Sequence, residues 1–413
     1  MSGAVTGRRR AVVFWTATGL IGLDTLLFTM VAPALPVFAE REGFGDTVAA
    51  LIFAAYPIAQ LATGLASAGL VERLGRRPLL IAAPCGLALA TLAFALAGDP
   101  AMLALARFAQ GAAAGVTWTA ALAAISDVYP SDQLGFRLGL AETVGGAIGL
   151  AGPLAGGAMV DAFGTTTAFT VAAVLPLLAV LPMLAVPETR RPRDPAQERI
   201  GVVAALRRVS GLPRARVAIV ALVALAAVLA LLEPLLPLDL DERLGLSPLQ
   251  IGIVFAVGDL AYLASIAPAG RWSDRRGRRL PTVLGGVMVA AFLPFTAIGP
   301  AWFVALAFVG VGAGLAALGA SSGALMVEAV DQAGMAGRYG LSGAMLTAVF
   351  SAGYVLGPLL GAGSSAVLSY GATVILAAVL CLIATAWIAR TLPRDHVAGG
   401  ALARGPKGKG GPR

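Results

Sequence analysis

Four carboxylates interrupt long apolar stretches of this sequence: Asp24, Glu142, Glu233 and Asp259. A charge within hydrocarbon is expensive, so each of these acids predicts a functional site. A carboxyl group removed from water binds a proton more readily, as a proton carrier must. The only histidine, His396, lies near the end of the sequence, so carboxylates would have to carry out any proton exchange.

An arginine also lies within an apolar stretch, in LALARFAQG around Arg107. Inserting it costs at least ~2.5 kcal/mol, so we expect it to face the protein interior and pair there. It would either help to set the protonation of the acids or only join helices, held by backbone carbonyls or by a carboxylate. Glu142 would either pair with Arg107 or reach the inner surface of the membrane.

Two of the acids are expected at similar depth. Asp24 lies ~20 Å along a helix from the basic Arg8–Arg10 cluster, and Glu233 lies ~24 Å from Arg216. Both would face each other in the outer half of a membrane, hold an organic ammonium between them and exchange it for protons. Asp259 would be a third titratable group or part of a capped helix break.

The composition explains why these charges stand out. With 58% hydrophobic and 13% charged residues, the chain is not an ordinary soluble protein. About 20 apolar residues span a bilayer as a helix, which predicts an all-α membrane protein with twelve transmembrane helices. The predicted spans are 11–38, 46–71, 79–98, 101–126, 135–160, 166–186, 217–238, 248–270, 280–299, 301–327, 339–364 and 368–390. The first lacks a cleavage site and is expected to remain as a span.

The charges predict the orientation. If both termini are cytoplasmic, 27 of the 30 Lys and Arg residues lie on the inner side, which indicates membrane topology rather than nucleic-acid binding. Cys85 and Cys381 fall inside spans and suggest neither a disulfide nor a metal ligand. No GxxxxGK[ST] loop occurs, so neither ATP nor another cofactor is expected, and the energy source would be a proton gradient.

An internal repeat divides the chain. APALP at 32–36 matches EPLLP at 233–237, and GPLAG at 152–156 matches GPLLG at 357–361, at offsets of 201 and 205. The prolines of the first pair are expected to bend both helices. The predicted units are a six-helix bundle over 1–186, a cytoplasmic linker over 187–216, a second six-helix bundle over 217–392 and a disordered tail over 393–413. Duplicated halves with a site between them are typical of secondary transporters.

On these residues the chain resembles the major facilitator superfamily along essentially its whole length. The loop after span 2 and its duplicate after span 8 look like that family's gating motif, through Glu72, Arg73, Gly75 and Arg76 and through Asp274, Arg275, Gly277 and Arg278. The resemblance implies two pseudo-symmetric bundles, with these loops clamping the halves in one conformation or serving only as topogenic charge. Span 5 resembles the family's antiporter motif at Gly152, Pro153, Gly156 and Gly157.

A finer resemblance, to the drug–proton antiporter branch that includes vesicular monoamine transporters, implies roles for single residues. It makes Asp24 and Glu233 the recognition and coupling acids, and Phe350 and Tyr354 substrate-pocket aromatics or plain packing. Tyr56, a third pocket aromatic, replaces a lysine of the amine transporters, so monoamine identity does not carry over.

The sequence therefore predicts a monomeric antiporter in a bacterial inner membrane, not an enzyme, that exports a cationic or amphipathic small molecule in exchange for protons. Proton-coupled uptake of a small metabolite is the alternative, because Arg107 offers a positive charge to an anionic compound. A non-transporting scaffold would leave four intramembrane acids unexplained.

Overall fold

The computed structural model describes residues 7–190, 201–335 and 339–392, and every regular element in these ranges is helical. The α-helices are α1 Gly7–Thr29, α2 Leu35–Glu42, α3 Asp46–Leu74, α4 Arg76–Ala95, α5 Pro100–Val128, α6 Ser131–Gly149, α7 Gly152–Leu184, α8 Val202–Val209, α9 Pro213–Leu244, α10 Pro248–Arg276, α11 Arg279–Phe292, α12 Ala301–Val330, α13 Tyr339–Ser365 and α14 Tyr370–Thr391. The tail predicted over 393–413 lies outside the described residues, as does part of the linker.

The described helices supply twelve membrane spans. Eleven apolar segments are long enough to cross a bilayer, and one of them, Gln133–Leu184, contains 52 residues. A helix of that length would cover more than twice the ~30 Å of a hydrocarbon core. The chain turns within it at Gly164, where φ is 75°. This is left-handed backbone that glycine adopts at little cost, so predicted spans five and six are separate crossings.

The repeat-related prolines act differently in the two halves. In the first half α1 ends at Thr29, and a short 3-10 helix over Ala32–Ala34 leads into α2. In the second half α9 continues unbroken through Pro234 and Pro237. The proline pattern therefore interrupts the helix in only one of its two copies. At the interruption the Thr29 hydroxyl donates to the carbonyl of Gly149, 2.8 Å away, and ties α1 to the end of α6.

Small residues allow α7 to approach two other helices closely. A Cβ at Gly156 would lie 2.5 Å from the carbonyl oxygen of Met30, in the segment that follows α1. A Cβ at Gly157 would overlap with the carbonyl oxygen of Pro248, at the start of α10. The glycines therefore permit one contact within the first half and one between the halves.

The two halves meet at the membrane face opposite the termini. The hydroxyls of Thr47 and Ser365, from α3 and α13, are 3.1 Å apart. Ser247, beside the start of α10, donates a 3.2 Å hydrogen bond to Asp161 of α7. Gly252 packs against the backbone of Pro153 in the same region, so the halves are closed against each other at this face.

Candidate functional site

Asp24 is held in the interior by two neutral donors. Its side chain is 2% exposed. The Tyr56 hydroxyl donates to Oδ1 at 2.8 Å, and the Trp118 indole N–H donates to Oδ2 at 2.8 Å. Since Tyr56 lies on α3 and Trp118 on α5, three helices meet at this carboxylate, and both of its oxygens are occupied.

Arg107 is enclosed by aromatic rings. Its guanidinium carbon lies 5.0 Å, 5.1 Å and 4.7 Å from the ring centres of Phe28, Phe53 and Tyr56. Nη1 donates to Gln110 at 3.1 Å, whereas Nε and Nη2 are buried without a hydrogen-bond partner. Among the described residues Arg107 forms no ion pair and no hydrogen bond to a backbone carbonyl, so neither of the partners predicted as alternatives, backbone carbonyls or a carboxylate such as Glu142, is found. Cation–π attraction stabilises the guanidinium here.

Sequence reasoning missed three residues of this site. Phe28 follows Asp24 by four residues, and Phe53 precedes Tyr56 by three, so each shares a helix face with its neighbour. Trp118 follows Arg107 by eleven residues, or about three helical turns. Aromatic residues at helical spacing from a buried charge were the signal that could have identified them.

Glu233 lies in a cavity between the halves. The cavity is small, about 20 Å³, which is room for about one water molecule, and its lining residues are Thr29, Ala32, Pro153, Leu229, Glu233, Phe255, Asp259 and Phe308. The Tyr354 hydroxyl donates to Oε1 of Glu233 at 3.3 Å, and Oε2 is buried without a partner. Asp259 lies on the continuous helix α10, so the alternative of a helix break near it is wrong.

An aromatic series connects the two acids. The ring centres of Phe28 and Tyr354 are 5.9 Å apart, and Phe350 lies 5.0 Å from Tyr354. Asp24 does not line the cavity that contains Glu233 and Asp259. The structure therefore places the predicted pair of acids at two linked positions, each with its own tyrosine, rather than in one shared pocket.

Glu142 makes its contact across the halves. Thr347 of α13 donates a 3.3 Å hydrogen bond to Oε1 of Glu142 on α6. No group of three His, Cys, Asp or Glu side chains in the described ranges is arranged to hold a metal ion.

The first loop motif is organised around Arg76, whose side chain is 4% exposed. Its Nε lies 2.7 Å from Asp127, and Nη2 lies 3.3 Å from Glu72. Glu188 accepts hydrogen bonds from the backbone N–H groups of Arg76 and Arg77 at 3.0 and 3.1 Å and so caps α4. A Cβ at Gly75, where φ is 92°, would lie 2.5 Å from the Glu188 carboxylate.

The pKa of Glu188 is shifted by these contacts. Partial burial alone would raise it, but the backbone N–H groups of Arg76, Arg190 and Arg77, with the charge of Arg76, hold the pKa of Glu188 below its ordinary value. Hydrogen bonds to the charged form of a carboxyl group favour that form.

The second loop motif repeats the first. Arg278 bonds to Asp274 and, at 3.0 Å, to Glu328. Burial alone would lower the pKa of Arg278, but its hydrogen bonds to these two acids raise it. Asp127 and Glu328 were missed from the sequence, although their offset of 201 matches that of the repeat. These ion pairs lie within one half each, not between the halves as a clamp requires.

Comparison with known proteins gives concordant results. A model of the Major Facilitator Superfamily matches residues 17–238 and 218–410. A bacterial homolog of the human lysosomal transporter Spinster, solved in an inward-facing and unoccupied conformation, has a TM-score of 0.77 and 16% identity, covering 94% of this chain and 98% of that one.

Curated relatives with similar sequences are transporters. The multidrug resistance protein MdtG of Salmonella arizonae is 28% identical, over 89% of this chain and 91% of its own length. The synaptic vesicular amine transporter of Mus musculus is 26% identical over 82% of this chain. An uncharacterized MFS-type transporter of Mycobacterium tuberculosis is 32% identical over 37% of it. The chain spans 65% of the mouse protein's length and 26% of the mycobacterial protein's.

Proposed function

The chain belongs to the Major Facilitator Superfamily of membrane transporters, and we propose that it is a proton-coupled antiporter that exports a cationic or amphipathic small molecule. The observation that carries this proposal is the pair of interior acids on repeat-related helices of the two halves: Asp24 is buried, and Glu233 is half-buried with one buried, unpartnered oxygen. Each acid accepts a hydrogen bond from a tyrosine, Tyr56 at 2.8 Å and Tyr354 at 3.3 Å. A buried carboxylate attracts a cation or a proton, and the two compete for it.

The aromatic side chains around the acids support a cationic substrate. Tyr354 donates a hydrogen bond to Glu233, Phe350 lies against Tyr354, and Phe28 contacts Tyr354 from the other half. Aromatic faces bind organic cations and also pack against apolar groups, which suits an amphipathic compound. The relatives named for multidrug resistance and for amine transport favour the same chemical class.

Alternating access would come from movement of the two halves, residues 1–186 and 217–392, about the site between them. Glycine contacts such as Gly157 with Pro248 would close one face. The loops around Arg76 and Arg278 would act as gates by fixing helix ends within each half. We further propose a monomer in a bacterial inner membrane with both termini cytoplasmic, driven by the proton gradient without a cofactor.

Transport by the reconstituted protein tests this function. Proteoliposomes with an imposed pH gradient would be supplied with a panel of lipophilic cations. We expect wild type to move at least one cation against its gradient, and Asp24→Asn and Glu233→Gln to abolish the proton-driven component. Glu40→Gln is the control, since Glu40 is exposed. If no cation moves, or if both buried-acid variants match wild type, antiport is refuted.

Uptake of a small anionic metabolite is a second candidate, favoured by one observation. Nε and Nη2 of Arg107 are buried donors without a partner, which an anion would satisfy. Adding small carboxylate compounds to the same panel of test substrates distinguishes anion uptake from cation export. Proton-driven accumulation of a carboxylate that requires Arg107 would favour uptake over cation export.

A further inference from the structure

Three aromatic rings surround a cation that the chain itself supplies. Phe28 of α1, together with Phe53 and Tyr56 of α3, places its ring centre within 5.1 Å of the Arg107 guanidinium carbon. We call these three rings the cage. Several aromatic faces around one positive charge recognise organic cations in general. Here the position is filled from α5, by a side chain with no exposed surface.

The cage holds Arg107 without an ion pair. Asp24 is close by, but both of its oxygens already accept hydrogen bonds, from Tyr56 and Trp118. The only described hydrogen bond of the guanidinium is from Nη1 to Gln110, at 3.1 Å. A buried guanidinium held mainly by ring faces keeps unused donors and can be replaced by another cation of similar shape.

Glu233 in the other half also has an unpartnered buried atom. Oε2 of Glu233 is buried without a partner, like Nε and Nη2 of Arg107. Phe28, one of the cage rings, lies 5.9 Å from the ring centre of Tyr354, whose hydroxyl donates to Glu233 at 3.3 Å. A shift of Arg107 out of the cage towards Glu233 would satisfy unpartnered groups on both residues, and unsatisfied buried polar groups are costly.

We infer that Arg107 is a tethered occupant of a cation-binding cage formed by Phe28, Phe53 and Tyr56, and that the transported cation takes its place. This inference rests on the proposed function and deepens it by naming a substrate class. The cage fits flat or quaternary cations with weak hydration, such as guanidinium or pyridinium groups, better than compact, strongly hydrated primary ammonium groups. Movement of the displaced Arg107 towards Glu233 would then couple cation binding in the first half to this acid in the other half.

Binding of a small planar cation to the purified protein tests the inference. The probe is methylguanidinium at millimolar concentration, with neutral methylurea as its control of similar shape, and the readout is ligand-dependent thermal stabilisation. Arg107→Ala empties the cage, so we expect methylguanidinium to bind it at least tenfold more tightly than wild type. Methylurea should bind neither protein. Adding Phe53→Leu to Arg107→Ala should remove the gain.

Two further variants test whether binding of methylguanidinium depends on an empty cage. Arg107→Met fills the cage with an uncharged side chain of similar length and should bind methylguanidinium no better than wild type. If Arg107→Ala does not fold, Arg107→Ser leaves the cage open beside a small polar side chain and should still bind the probe at least threefold more tightly than wild type. Equal binding of methylguanidinium by the Met variant and by the Ala or Ser variant would overturn the inference, and so would equal binding of methylurea and methylguanidinium.

The outcomes also separate this inference from antiport itself, because the binding assay needs no transport. A cage that binds methylguanidinium in a protein that transports no cation would refute antiport and the substrate role, leaving only a binding site. Cation antiport with no binding gain in the Arg107 variants would refute the cage and leave the proposed function intact. Benzoate binding that wild type shows and Arg107→Ala loses would identify Arg107 as an anion ligand and overturn the inference.

Discussion

Tyr56 contacts two opposite charges at once: its hydroxyl donates a 2.8 Å hydrogen bond to Asp24, while its ring centre lies 4.7 Å from the guanidinium carbon of Arg107. One side chain therefore links the acid of α1 to the arginine of α5. These two contacts can be removed separately.

Tyr56→Phe should remove the hydrogen bond and keep the ring face. A hydrogen bond to a charged group is worth about 1.5–3 kcal/mol, so we expect the free energy of unfolding to fall by about this amount. Tyr56→Leu should cost more, because the cation–π contact is lost as well. Chemical unfolding of both variants in detergent measures the difference. Equal losses would show that the ring face contributes nothing.

Trp118→Phe should test whether the two donors to Asp24 act as a unit. Each donor binds a different oxygen of the same carboxylate. Groups within one hydrogen-bond network couple, so we expect the Tyr56→Phe/Trp118→Phe double variant to depart from the sum of the single losses by at least about 0.5 kcal/mol. A double-mutant cycle on unfolding free energies measures this coupling, and strict additivity would contradict it.

Gly157→Ala should prevent the halves from closing at the face opposite the termini, because the added methyl group would overlap with the backbone of Pro248. In a background without Cys85 and Cys381, Thr47→Cys and Ser365→Cys should cross-link readily, since the native hydroxyls are 3.1 Å apart. Adding Gly157→Ala should slow cross-linking at least severalfold.

Gly146→Ala is the matched control for this experiment, since a Cβ there would meet no atom within 4 Å. The control should cross-link at the rate of the parent protein. If both alanine variants cross-link at that rate, the close contact of Gly157 does not limit closure.

Asp127→Asn should be more damaging than Glu328→Gln, although the two acids are repeat-related. Asp127 pairs with Arg76, whose side chain is 4% exposed. Glu328 pairs with Arg278, whose side chain is 23% exposed. Removing a partner of the buried Arg76 should cost more, up to about 3–5 kcal/mol, than removing one from the half-buried Arg278 pair, where solvent screens the charges. Thermal unfolding of the two variants gives the order, and equal losses would contradict it.

Glu188 should make stability depend on pH. The pKa of Glu188 is below its ordinary value of 4.5 in the folded protein, so its contribution is present above that value and is lost as pH falls through the lower, folded-state pKa. We therefore expect the melting temperature of Glu188→Gln to be lower than that of wild type at pH 7, and the gap to close below about pH 4.5. Equal melting temperatures of Glu188→Gln and wild type at pH 7, or a gap that persists unchanged below pH 4.5, would contradict this expectation.

The spans could be predicted because hydropathy is a local property of the sequence, and the acids because a charge within a span stands out by residue type. The partners of those acids could not. Tyr56 and Asp24 are 32 residues apart, and Tyr354 and Glu233 are 121 apart. Their contacts depend on how each helix is rotated about its axis. Arg107 was expected to be held by backbone carbonyls or by a carboxylate, whereas in the structure three ring faces surround its guanidinium.

The contacts that close the face opposite the termini also determine how that face responds to salt. Ser247 with Asp161 and Thr47 with Ser365 are hydrogen bonds, and Gly157 with Pro248 is a backbone contact. None of the described ion pairs joins the halves there. Mobile ions weaken attraction between opposite charges over distances of about 10 Å at 0.1 M, but they have little effect on neutral contacts. Closure at this face therefore draws nothing from attraction between opposite charges. Salt acts there through like charges, because Glu40 and Asp46 of the first half repel Asp239, Asp241 and Glu242 of the second, so added salt should favour closure.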